Sequence, residues 1–178
     1  MHALAHTPTL DDRIAPEEFR HVLGHFCSGL TIITSLAGVP GGDGRAEPVG
    51  FTCQSFASLS LEPPLVTFSV ARTSTTWPRM EPSGSFCVNI LTTGQEALCR
   101  AFAVRGADKF AGVDWTPGPA TGSPVLSGSL AWADCTVETV HPGGDHWIVV
   151  GRVRAVEVAD PDDTPLLFYR SAFHRPAA

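Results

Sequence analysis

No apolar run in this sequence approaches the ~20 residues that a membrane-crossing helix needs. The first residues, MHALAHTPTLDDR, lack a basic stretch followed by an apolar one, so no signal peptide is read there. Residues 1–15 read as a loose N-terminal tail, with one domain over 16–178. Positive charge is scarce: the formal net charge is −6, which disfavours nucleic acid and anionic membranes as partners. The five cysteines are odd in number and widely spaced, with no C-x-x-C, so a reduced, cytoplasmic protein is expected. No G-x-S-x-G, Cys–His pair of known spacing or carboxylate pair inside an apolar run is present, so no side-chain nucleophile is indicated. Gly41-Gly42-Asp43-Gly44 precedes a strand instead of opening a helix, so it is no dinucleotide fingerprint. His21 and His25 lie four apart, but no glutamate stands between them and no third metal ligand is evident.

What the chain has is the stretch from Gly50 to Trp77, GFTCQSFASLSLEPPLVTFSVARTSTTW. Gly50 to Phe56 alternates at period two, as a strand does. Pro63-Pro64 breaks the run, and Leu65 to Val70 reads as a second strand. Arg72 and the hydroxyls of Thr73, Ser74, Thr75 and Thr76 follow. A basic residue beside hydroxyls and free backbone N–H groups can hold a phosphate. Hydroxyls also suit strands and turns for their own sake, so a Ser/Thr-rich hairpin with a polar turn stays open beside that reading.

Around this stretch, Pro16 to Phe26 reads as a helix with Phe19, Val22, Leu23 and Phe26 on one face. Gly29 to Leu36 is a strand, and residues 37 to 48 are a glycine- and proline-rich hairpin loop. Thr75 and Thr76 start a short helix through Met80. Ser85 to Leu91 is a strand. Thr93 and Glu96 fit a capping box whose helix buries Ala97, Leu98, Ala101 and Phe102. Residues 116 to 128 read as surface coil. Ser129 to Val140 and Trp147 to Val158 are long strands joined through residues 141 to 146, and Leu166 to Tyr169 is a last short one. Strands dominate without β-α-β alternation, so the expected fold is mainly β: an antiparallel Greek-key split β-barrel with a few peripheral helices.

The order Gly50, Thr52, Ser55, Phe56, Ser58, Ser60, Pro63, Pro64, Leu65 resembles the signature of the flavin reductase-like, split-barrel flavin-binding family. Phe86 to Leu91, Phe102, Lys109-Phe110, Gly144-Asp145-His146 and Gly151-Arg152-Val153 extend the resemblance over residues 17 to 174. Cys53-Gln54 departs from the smaller residues common there. The resemblance implies that Thr52, Cys53, Gln54, Ser55, Ser58 and Ser60 run along the flavin ring. It puts the flavin phosphate on Arg72 with Ser74 and Thr75, counts Ser69, Thr73 and Phe102 among the cofactor-binding residues, and sets Lys109 and Phe110 against the flavin, often from the neighbouring subunit. It places His146 near the nicotinamide, where it is the candidate catalytic residue, acting by positioning; a histidine that merely ends a turn is the plainer alternative. The implied activity is NAD(P)H-dependent flavin reduction, with FAD or FMN as flavin and NADH, possibly NADPH, as donor. The implied partners are a second copy of the chain and a flavin-dependent monooxygenase that takes the reduced flavin. The rival readings are a flavin-binding oxidase or module of the pyridoxamine-phosphate-oxidase-like barrels, and a cofactor-free interaction barrel.

Overall fold

A computed structural model of the chain describes residues 14–38, 46–159 and 161–177. Most of the expected N-terminal tail, and the centre of the loop at 37–48, lie outside the described residues. Helix α1 spans Pro16–Leu23, with the proline in its first turn. It ends at Gly24, before Phe26, as the amides of Gly24, His25 and Phe26 fold back onto the last helical carbonyls. Strand β1 (Ser28–Gly29) is a two-residue pairing, and β2 (Thr31–Ala37) and β3 (Glu47–Cys53) form an antiparallel hairpin from Thr31 opposite Cys53 to Ala37 opposite Glu47.

The run expected as one strand to Phe56 stops at Cys53. The chain then bends, and Ala57–Ser60 forms a separate edge strand, β4. Strand β5 (Leu65–Ala71) alternates half-buried and buried residues without a break, sending Val66, Phe68 and Val70 inward. Helix α2 (Trp77–Met80) and β6 (Ser85–Ile90) follow. Helix α3 (Glu96–Ala103) is entered through a single 3-10 turn. Its capping box uses Thr92 and Gln95, one residue earlier than expected; Glu96 instead takes Arg100 at 2.8 Å. The buried side of α3 is Cys99 and Phe102, while Ala97 and Ala101 are exposed.

Within the expected coil at 116–128, β7 (Trp115–Pro117) and β8 (Pro124–Leu126) pair antiparallel. The long hairpin is β9 (Ala131–Gly143) and β10 (His146–Val158). Pairing continues to Gly143 opposite His146, so the connection shrinks to Gly144-Asp145, with Gly144 at φ +71°. Two short strands, β11 (Leu167–Tyr169) and β12 (Ala172–His174), close the chain and join β1 in a small sheet.

The main sheet has seven antiparallel strands in the order β3-β2-β6-β9-β10-β5-β4. The ladder does not close, so the barrel is split, as expected. At the seam Ser55 bridges to β5: its Oγ accepts the Ser69 N–H at 2.8 Å and donates to the Ser69 carbonyl at 3.1 Å. Neighbouring residues of β2 serve two cores because side chains alternate. Ile33 points into the barrel with Phe68, Phe86 and Val149. Ile32 points outward under α3, with Leu91, Cys99, Phe102 and Leu166. Gly151 is required on β10, since a Cβ there would stand 2.2 Å from the Phe86 ring.

Candidate functional site

At the open seam lies a cavity of about 620 Å³, the size of a small-molecule or cofactor site. One wall is the end of β3 and the bend after it: Phe51, Thr52, Cys53, Gln54 and Ser55. The end of β5 and the turn into α2 supply Ser69, Val70 and Thr73 to Thr76. The third wall is α3 and the loop after it, with Cys99, Phe102, Arg105 and Lys109. His146, at the tip of the β9–β10 hairpin, completes the rim.

Gly50 is the hinge of the third wall. A Cβ there would meet both the Ile33 carbonyl oxygen and the Phe102 ring at 2.9 Å, so only glycine lets α3 lie this close. Thr52 ties the same contact by donating to the Cys99 carbonyl at 2.6 Å. Lys109 closes it from the loop, its Nζ donating to the Gly50 carbonyl at 3.1 Å.

The electrostatics of the cavity run against those of the chain. Although the net charge is −6, no aspartate or glutamate lines the cavity, whereas Arg105 and Lys109 both do. Neither cation has a carboxylate partner among the described residues. Burial lowers the Lys109 pKa, because the charged ammonium has given up part of its water. The hydroxyls of Thr73, Thr75 and Thr76 carry no side-chain hydrogen bond among the described residues. Ser74 is engaged: its Oγ accepts the N–H groups of Thr76 at 3.2 Å and Trp77 at 3.1 Å, capping α2. Cys53 and Cys99 line the cavity, but burial raises both thiol pKa values, so neither is an activated thiolate.

Of the residues singled out from the sequence, Thr52, Cys53, Gln54, Ser55, Ser69, Thr73, Ser74, Thr75, Phe102, Lys109 and His146 come together on this cavity. Ser58 and Ser60 do not; they lie on the edge strand β4. Phe110 packs edge-on against Phe102 at 5.1 Å and lines a neighbouring cavity. Arg72 stands outside the lining, with its guanidinium 4.1 Å above the Trp147 ring. His146 is held by Asp145, Nδ1 to Oδ1 at 2.7 Å, and that contact pulls the Asp145 pKa down. Sequence reasoning missed Arg105, which no local pattern marks; it counts only once folding sets it beside Lys109. His21 and His25 pack ring edge to ring face at 5.1 Å, and the described residues form no group of three or more metal-ligating side chains.

The fold and the cavity define the class: an antiparallel split barrel with a cation-lined cavity of cofactor size at its seam. Within that class the chain belongs to the flavin reductase like domain family, whose sequence model matches residues 23–177. It is 52% identical, over 91% of its length and 78% of the relative's, to the reductase subunit HsaB of a flavin-dependent monooxygenase from Rhodococcus jostii. The structure of nitrilotriacetate monooxygenase component B from Mycobacterium thermoresistibile is 48% identical, with a TM-score of 0.81 over 90% of this chain and 86% of that one. An NADH:FAD oxidoreductase of Streptomyces globisporus, solved with NAD and FAD fragments, is 35% identical, with a TM-score of 0.80 over 97% of this chain and 98% of that one.

Proposed function

We propose that the chain is an NADH-dependent flavin reductase that hands reduced flavin to a partner monooxygenase. The observation that carries this is the acid-free cavity with two uncommitted cations in an acidic chain: it suits a ring with a phosphate tail. A bound flavin supplies the hydride acceptor, N5, and NADH supplies the hydride. The protein's share is binding and orientation. Lys109 and Arg105 neutralise the phosphate, and Thr73, Thr75 and Thr76 donate to its oxygens. Thr52, Gln54, Ser55 and Ser69 flank the ring at the seam. His146, oriented by Asp145, positions the nicotinamide by a hydrogen bond and takes no proton. Purified protein mixed with NADH and excess flavin should show steady NADH oxidation; a bound yellow cofactor without turnover would speak for an oxidase or binding module, and neither for a barrel without cofactor. The relatives' names support the activity and the monooxygenase partner.

Two further parts belong to this reading. The chain works as a homodimer. Helix α1 buries none of its residues, and Phe19, Val22, Leu23 and Phe26 are each more than half exposed. An eight-residue helix with a bare apolar face needs cover, and a second copy supplies it. Light scattering at micromolar concentration should give twice the chain mass, falling to one chain in Leu23→Glu with the fold retained. The compartment is the cytoplasm, in keeping with five free cysteines, four of them buried. No helix among the described residues is long and apolar enough to cross a membrane.

A further inference from the structure

A third cavity, of about 400 Å³, lies away from the seam and shares no residue with the flavin cavity or its neighbour. It sits where the chain enters α3, between Thr93, Gly94 and Glu96 on one side and the end of β12 on the other. Its apolar floor is Leu166, which is buried, and the half-buried ring of Phe173. That ring is held from two directions: the Arg100 guanidinium stands 4.3 Å from its centroid, and Phe168 packs edge-on at 5.4 Å. The charges sort into one closed pair and one open cation. The Arg100 Nε and Nη2 groups both donate to the same Glu96 oxygen, Oε1, at 3.0 and 2.8 Å. That pair is neutral, and Glu96 Oε2 keeps its acceptors. Arg175 also lines the cavity, but it has no carboxylate partner and lies over no ring among the described residues. A free guanidinium and an apolar floor in one cavity of ligand size match a carboxylate carried on an apolar body.

We propose that this cavity is a separate ligand site for a small monocarboxylate with a flat apolar body. Arg175 takes the carboxylate through its planar fork, and Leu166 and Phe173 take the body. Glu96 limits the ligand to one charge, because a second carboxylate or a doubly charged phosphate would meet its free oxygen. A hydroxyl substituent fits, since Glu96 Oε2 accepts hydrogen bonds. A ligand that joins Arg175 to the start of α3 ties β12 to that helix, so occupancy stabilises the folded chain. The site is no part of the flavin reductase reading and stands without it.

Benzoate is the probe. Calorimetry should show it binding the wild-type protein with a dissociation constant on the order of 1 mM, the strength that a ligand of this size supports. Acetate lacks the body, benzyl alcohol lacks the charge and terephthalate carries a second one; each should bind about tenfold more weakly. Arg175→Gln removes the fork at an exposed residue and should weaken benzoate binding about tenfold, with NADH oxidation unchanged. Gly94→Leu fills the cavity from the other side. A Cβ at Gly94 meets only the Thr92 hydroxyl, at an ordinary 3.7 Å, so the plug enters without strain and should weaken binding as much. Lys109→Ala should leave benzoate binding as it is. Wild-type protein that ignores benzoate, or a control ligand that binds as tightly, overturns the proposal. So does binding that survives either Arg175→Gln or Gly94→Leu. Loss of binding in Lys109→Ala would put the anion in the flavin cavity and overturns it too. Should Gly94→Leu fail to fold, Arg175→Gln decides alone. Benzoate binding without NADH-driven flavin reduction sinks the reductase reading and leaves this site standing.

Discussion

The two side walls of the cavity are built in opposite ways. The α3 wall is buried and pinned: Phe102 is fully buried against Gly50, Thr52 bonds into the helix, and Lys109 bonds back onto Gly50. Neither of its two cations has a carboxylate partner among the described residues. The hairpin-tip wall is exposed, with the Asp145 side chain 94% accessible; Asp145 and His146 bond each other, and the Arg72 guanidinium lies over the Trp147 ring. A fixed wall with free charge holds a ligand that must be aligned. An exposed wall whose polar groups are already bonded suits a substrate that comes and goes. On the proposed function, this contrast assigns the flavin to the first wall and the nicotinamide to the second.

The comparison breaks first if the α3 wall is loosened. Phe102 fills the space above Gly50 and touches Phe110. Phe102→Ala should cost about 3–5 kcal/mol of stability, as for other buried phenylalanines. Denaturant unfolding measures this, and flavin binding should fall with it, since Lys109 loses its support. A loss under about 1 kcal/mol would mean that the wall is not pinned through Phe102.

Lys109→Ala tests the charge and spares the packing. A charge-assisted bond contributes about 1.5–3 kcal/mol, so flavin affinity should fall roughly ten- to a hundredfold. Partial exposure of Lys109 puts the expectation at the lower end. The pH dependence has a definite sign. Burial lowers the Lys109 pKa, so its proton is lost below the usual lysine value of about 10.4. Flavin affinity should decline as pH rises through that lowered pKa. Stability of the flavin-free protein should rise over the window between the lowered and the unfolded values, because the unfolded chain binds more protons there. Lys109→Arg should remove the decline in affinity; if the decline persists, another group sets it.

Much of this arrangement can be read in the sequence, and the gaps have physical causes. The split barrel follows from period-two strands and the absence of β-α-β alternation. Helices α1 and α3 look alike as sequences, each eight residues with an apolar face. Among the described residues only α3 has its face covered, and no local pattern says what covers a face. The capping box slipped by one residue because Thr92 and Thr93 are equally good caps, and only the pairing of Thr92 with Pro165 fixes which is used. The coil at 116–128 hides a β-pair that a distant carboxylate organises: Asp134 is fully buried and accepts the N–H groups of Ala120 and Thr121. The cavity's missing acids were invisible too, because it gathers segments from Leu30 to Phe168.

On the hairpin-tip wall the effects should be smaller. His146 shares one hydrogen bond with Asp145 through Nδ1 and lines the cavity rim. His146→Ala removes one neutral hydrogen bond to the nicotinamide nucleotide, about 0.5–1.5 kcal/mol. The Michaelis constant for NADH should rise, or hydride transfer slow, about two- to tenfold. Flavin affinity should stay near wild type. Loss of flavin binding in this variant would move the flavin to the wrong wall and undo the comparison.

Arg72 gives the smallest effect and the sharpest contrast, because the sequence placed the phosphate on it and the structure places its guanidinium on Trp147. Its backbone N–H donates to the Asp145 carbonyl at 2.9 Å, and that bond survives any change of side chain. An exposed cation–π contact contributes about 0.5–1 kcal/mol, and the loss falls on the hairpin tip, away from the flavin. Arg72→Ala should therefore change flavin affinity less than about threefold, against the ten- to hundredfold loss for Lys109→Ala. Equilibrium titration of both variants with one flavin compares them directly. If Arg72→Ala loses as much as Lys109→Ala, the guanidinium leaves Trp147 for the phosphate when flavin binds. The tip would then be a clamp on the cofactor, and the division of labour between the two walls would fail.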